Sequence, residues 1–184
     1  SRDCEPMNGG HTDDYYYQLV SNIRKFKGVN KPPSAGPGTT ITVDGSFSDW
    51  DNVSPEFLDP AGDTISRNST GWGSAGNYVS TSGRNDIIRS KVTYDSSDVY
   101  FYVETASALT PYTGANWMLL YINSDCDSAT GWIGYDYIVA YPSGSSTTNL
   151  YSYAGSGGSW NWSPVRSIPY RASGNKMELS VLRS

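Results

Sequence analysis

The segment Trp117-Met-Leu-Leu-Tyr-Ile-Asn-Ser-Asp-Cys-Asp-Ser-Ala-Thr-Gly-Trp-Ile-Gly-Tyr-Asp-Tyr-Ile-Val-Ala-Tyr141 constrains the fold more than any other. It reads as strand, acidic loop, strand. Met118, Leu120 and Ile122 alternate with Trp117, Leu119 and Tyr121. Both sides of the first arm are therefore apolar, and it is expected to be a central strand covered on both faces. In the loop, Asp125 and Asp127 alternate, Thr130-Gly131 supplies a hydroxyl and a turn, and Asp136 opens the returning strand. Such an oxygen cluster suits a hard cation such as calcium. The same aspartates can instead bond nearby backbone amides, which requires no ion.

Alternation continues on either side. Thr40 to Val43 reads as a short strand ending at Asp44-Gly45, with Phe47 and Trp50 as the next apolar anchors. Ile87 to Tyr94 and Val99 to Thr105 form a hairpin closed by Asp95-Ser-Ser-Asp98. Asn149 to Tyr153, Trp160 to Tyr170 and Met177 to Leu182 complete a run of short strands. The expected fold is all-β, a sandwich of jelly-roll type. Thr64 to Asn85, rich in Gly, Ser, Thr and Asn, reads as one long loop, of the kind that is functional or mobile.

Residues 1–28 read differently. Thr12 caps a helix with Asp13 and Asp14 in its first turn, Arg24, Lys25 and Lys27 in its last, and Gly28 as its stop. Tyr16, Leu19, Val20, Ile23 and Phe26 fall on one stripe that calls for packing. Residues 29–38, containing Lys31-Pro-Pro-Ser-Ala-Gly-Pro-Gly38, are a stiff polar linker. The sandwich spans 39–184. Its last residues alternate like a strand with no closing turn, so a fragment is expected at both ends.

Composition narrows the partners. Tyr (15) and Trp (6) are abundant beside Phe (4), and a net charge of −5 without a basic cluster argues against nucleic acid. No apolar run reaches the roughly 18 residues of a membrane span. A neutral polymer such as a polysaccharide is the natural client. His11 is a single histidine, and the two cysteines, Cys4 and Cys126, have no ligand spacing, so zinc and a Ser-His-Asp triad are not expected. Those cysteines are one disulfide or two thiols; the sequence leaves both open. Asn52, Asn68 and Asn161 stand in glycosylation triplets.

Five motifs in order, Ile41-Thr-Val-Asp-Gly-Ser-Phe-Ser-Asp-Trp50, Asp59-Pro-Ala-Gly-Asp63, Arg84-Asn-Asp-Ile87, Val99-Tyr-Phe-Tyr-Val103 and Asp127-Ser-Ala-Thr-Gly-Trp132, resemble family 9 carbohydrate-binding modules and related DOMON-like sandwiches. The resemblance covers residues 39 to 184. It implies a secreted sandwich, often carrying structural calcium and often appended to a polysaccharide-degrading enzyme. Glu5 to Gly28 is similar to the closing helix of a catalytic domain in large secreted glycoside-hydrolase-like proteins, which implies an upstream catalytic domain in the same chain.

Two metal sets are expected: Asp125, Asp127, Thr130 and Asp136, and a second of Asp59, Asp63 and Asp86 should the long loop return beside its start. A sugar offers a C–H face to an aromatic ring and hydroxyls to polar side chains at the rim. Trp72, Tyr78 and Arg84 in one Gly-rich loop, and Trp160 in another, are the candidates. Trp50, Trp117, Trp132 and Trp162 are assigned to packing. Glu56 and Glu104 could serve as a glycosidase pair only if they meet, which the sequence does not support. No catalytic residue is expected in this chain. An assembly domain that packs on a neighbouring protein and binds no sugar is the alternative.

Overall fold

The computed structural model describes residues 19–23, 33–62, 67–71, 73–112 and 117–183. The chain forms two compact units, Ser1–Ser34 and Ala35–Ser184. In the first, residues 19–23 are helical, with Leu19 and Ile23 exposed. The rest of the expected helix lies outside the described residues, as do Glu5, His11 and Cys4. No helix among the described residues is long and apolar enough to cross a membrane.

The second unit is all-β. Its strands are β1 (Glu56–Leu58), β2 (Arg67–Thr70), β3 (Asn77–Ser80), β4 (Ile87–Tyr94), β5 (Asp98–Thr105), β6 (Leu120–Ile122), β7 (Tyr137–Ser143), β8 (Thr147–Tyr153), β9 (Trp162–Ser173) and β10 (Lys176–Leu182). Eight of them form one sheet in the order β1, β4, β5, β10, β9, β8, β7, β6, while β2 and β3 form a separate hairpin. Every pairing is antiparallel. The sheet curls into a sandwich through β9. Residues 162–169 of that strand pair with β8, and 170–173 pair with β10, so one strand belongs to both layers.

Alternation decides what lies between the layers. Phe101 and Val103 of β5 and Met177 and Leu179 of β10 meet Val139, Leu150, Ile168 and Tyr170 from β7, β8 and β9. Trp117 joins them, roofed by Met118 and Leu120. The first arm of the central segment is nevertheless an edge strand of three residues, not a central one. Its two-sided apolarity has another cause: Leu120 and Ile122 enter the core, while Tyr121 joins a layer of rings outside the sheet.

The opposite face of β4, β5 and β10 is covered by residues 39–53. Thr40 to Val43 is not a strand but irregular chain laid across the sheet. Ile41, Trp50 and Val53 pack there on Tyr100 and Tyr102. Lys91, Tyr102 and Glu178 are neighbours in one cross-strand row, and Trp50 closes over it. Its indole lies 5.3 Å from the Tyr102 ring, and its Nε1 donates to Glu178 Oε2 at 2.8 Å. Glu178 Oε1 accepts from the amides of Asp44 (3.0 Å) and Gly45 (2.8 Å), while Lys91 Nζ donates to the Trp50 carbonyl at 2.8 Å. The fully buried carboxylate is thus paid in hydrogen bonds. The end of the expected linker lies against the sheet: a Cβ at Gly38 would press on the Tyr94 carbonyl, and the next residue, Thr39, donates its N–H to Thr93 Oγ1.

Candidate functional site

The expected 22-residue loop from Thr64 to Asn85 contains the β2–β3 hairpin, so most of it is not structureless. Its tip reaches the second Gly-rich loop through Gly73 and Ser74. Ser74 N donates to the Gly158 carbonyl (2.9 Å), and Trp160 N donates to Ser74 Oγ (2.7 Å). Gly73 has φ +57, and a Cβ there would collide with the Gly158 carbonyl, so only glycine permits this approach. The two loops singled out for sugar contact are therefore joined. Trp72 itself lies outside the described residues.

Rings gather at this junction. Trp160 lies edge-on to Trp132 (4.7 Å) and to Trp162 (5.4 Å), and Trp162 meets Tyr153 at 5.3 Å. Tyr121 stacks on Trp132 at 5.9 Å and touches Tyr135 at 5.1 Å. Burial, reinforced by the neighbouring phenols of Tyr78, Tyr135 and Tyr141, pushes the Tyr121 hydroxyl up to about 12. Trp132 is 2% exposed, as its packing assignment requires, and Trp160 is half-buried rather than free. Tyr78 (43%) and Tyr135 (37%) are the more exposed tyrosines here. The indole N–H groups of Trp132 and Trp162 are buried with no hydrogen-bond partner. Arg84 is half-buried in the turn between β3 and β4.

A strained turn holds part of this surface. Trp132 and Tyr135 bond each other's backbone around Ile133 (φ +48) and Gly134 (φ +93). A β-branched residue with positive φ costs on the order of 1–3 kcal/mol, and Ile133 is held there 46% exposed. Tyr135 was not singled out from the sequence. Its signal was the Ile-Gly pair between two aromatics, a turn that sends both rings to one side.

The acidic loop is knitted by its own aspartates. Asp125 Oδ1 accepts from Asp127 N, and Asp127 Oδ1 accepts from Ala129 N, each at 2.8 Å. Asp136 Oδ2 accepts from both N and Oγ of Ser124. Thr130 Oγ1 lies 2.9 Å from Asp125 Oδ2, 3.1 Å from the Asp127 carbonyl and 3.4 Å from Asp136 Oδ1. Burial acts to raise the Asp136 carboxyl, but the donors from Ser124 and Thr130 outweigh it and hold the group below its usual range. Three of the four expected ligands thus converge through a side-chain oxygen, and Asp127 contributes its carbonyl. Among the described residues, no three His, Cys, Asp or Glu side chains form a metal-holding group. Cys126 is exposed at φ +60.

In the second expected set, Asp86 Oδ2 accepts from Gly62 N at 2.7 Å, so the loop does return beside its start. Asp86 Oδ1 is buried with no partner, Asp59 is exposed, and Asp63 lies outside the described residues. Glu56 and Glu104 flank one guanidinium. Arg89 Nε stands 3.2 Å from Glu56 Oε2, close but not aligned for a hydrogen bond, and Nη1 bonds Glu104 Oε2 at 3.3 Å. No protein-family model matches the chain, and neither a curated protein nor a solved structure does.

Proposed function

We propose that the sandwich is a non-catalytic carbohydrate-binding domain of a secreted polysaccharide-degrading protein, and that its binding face is the ring cluster where the two Gly-rich loops join. One observation carries the reading: the Ser74–Gly158–Trp160 contact brings together loops 86 residues apart at a surface where Tyr78 and Tyr135 are open. Exposed rings beside joined Gly-rich loops, with Asn77 and Asn161 alongside in sequence, suit a pyranose face and its hydroxyls. The motif resemblance points the same way. Linked to a catalytic domain, such a face raises the local concentration of polymer at the enzyme.

Calcium belongs to the same proposal. Thr130 has one hydroxyl proton and three acceptors within 3.4 Å, more than that proton serves. This set is all hard oxygen and suits calcium, with Asp125, Thr130 and Asp136 giving side-chain ligands and Asp127 its carbonyl. The ion would supply loop rigidity, not chemistry. Binding to soluble glucans, xylans and mannans, measured for the native chain and for Trp160→Ala and Tyr78→Ala, tests the reading; retained affinity in both variants removes it.

The assembly alternative rests on a different feature. Phe57 (46% exposed) and Leu58 (67%) lie on the edge strand β1, an apolar edge open to a partner. A molecular mass that rises with concentration, together with no polysaccharide binding, favours that reading.

A further inference from the structure

The two layers gape at the end of the sandwich where Val99, Val181, Ile122 and Tyr137 stand, leaving a cleft of about 560 Å3. That volume lies within the roughly 300–1,000 Å3 of small-molecule sites. Phe101 and Leu150 of the core are part of its lining. One charged side chain faces this apolar space from the core side of a strand. Arg166 pairs with Leu150, which points into the core, so both occupy the inner face.

A bulge explains how an arginine comes to stand there. Register passes from Leu150 opposite Arg166 to Tyr151 opposite Pro164, leaving Val165 as the extra residue. Val165 and Arg166 both line the cleft. The other arginine at its mouth is committed: Arg183 Nη1 donates to the Asp95 carbonyl, and its guanidinium lies over the Tyr94 ring at 5.1 Å. Arg166 is not. The ion pairs among the described residues all belong to Arg89. Asp136, which reaches the same rim through Ser124, makes no ion pair with Arg166. A guanidinium offers five donors matched to a planar carboxylate.

We propose that this cleft binds a small anionic amphiphile, a carboxylate bearing one aromatic ring or a short alkyl chain, with Arg166 gripping the carboxylate and the apolar part resting on Phe101 and Val181. The site is separate from the ring cluster, and it does not depend on the carbohydrate reading.

Hydrocinnamate is the probe, titrated into the 184-residue chain and followed by amide NMR shifts. The expected result is a saturable response centred on Val99, Arg166 and Val181. Hydrocinnamyl alcohol has the same ring without the charge and should bind at least about tenfold more weakly, as should acetate, which has the carboxylate but neither ring nor alkyl chain. Arg166 is exposed, so Arg166→Gln should fold normally and weaken hydrocinnamate by about tenfold or more. Val165→Glu, which places a like charge at the rim, should weaken it too. Equal affinity of Arg166→Gln and the native chain, shifts confined to other regions, or no saturation would overturn the proposal.

Discussion

Replacing Glu178 by Gln tests the part of the fold on which everything else is mounted. The amide keeps the shape of the carboxylate, and its oxygen can still serve Asp44 N and Gly45 N. Its nitrogen then faces Trp50 Nε1, donor against donor, where a 2.8 Å charge-assisted bond stood. Losing a hydrogen bond to a charged group costs about 1.5–3 kcal/mol, and the stranded indole N–H adds about 1–3 kcal/mol. Relief from burying a charge offsets part of this. A net loss of about 2–4 kcal/mol is expected, a large share of the roughly 5–15 kcal/mol that holds a domain together. Urea unfolding followed by tryptophan fluorescence reads it; at a slope of about 2 kcal/mol per molar, the midpoint falls by roughly 1–2 M. Trp50→Phe removes the same bond from the other side, so the double variant should be less destabilised than the sum by about 0.5–3 kcal/mol. A shift under about 0.5 kcal/mol for Glu178→Gln, or strict additivity in the cycle, refutes the claim that this contact ties residues 39–53 to the sheet.

Other outcomes follow from the loops and rings. If calcium sits at Thr130, chelator lowers the melting temperature of the native chain and leaves Asp136→Asn unchanged; an equal response in both removes the ion from the account. The Asp136 carboxyl is held below its ordinary value of 3.8. Its contribution to stability is therefore complete above that pH and is lost as pH falls through the depressed value, so Asp136→Asn should flatten the acid limb of the stability profile. Tyr100 and Tyr121 are pushed up to about 12, by burial first and by nearby acids or phenols second. Their contribution is full below pH 10 and lost as pH rises towards 12, so ultraviolet titration should show late phenols that ionise with unfolding. Gly73→Ala, which breaks the approach to Gly158, should weaken polysaccharide binding about tenfold or more while the sandwich melts as before.

The strands of the sandwich were legible where one face is wet and the other dry. Val99–Thr105 and Met177–Leu182 alternate cleanly because the inner sides of β5 and β10 form the core. The place of Leu120–Ile122 was not legible, because apolarity on both sides signals burial of both faces and says nothing about which edge is paired. Glu178 was invisible for a related reason. A glutamate in an alternating strand normally faces water, and only the covering segment with Trp50 makes that face interior. At the site, composition pointed to the Gly-rich loops, and the contact between Ser74 and Gly158 joins them. Tyr135 and Arg166 escaped notice because each is placed by backbone irregularity, a positive-φ turn for one and a bulge for the other.

Calorimetric titration of the native chain with a panel of neutral soluble polysaccharides, repeated on Trp160→Ala, addresses the functional claim most directly. The account predicts saturable binding to at least one polymer and a loss of about tenfold or more when the indole is removed, in a variant that melts lower for want of the Trp132 and Trp162 ring contacts but still in one cooperative transition. Heat-silent titrations across the panel, or an undiminished affinity in the variant, would contradict it.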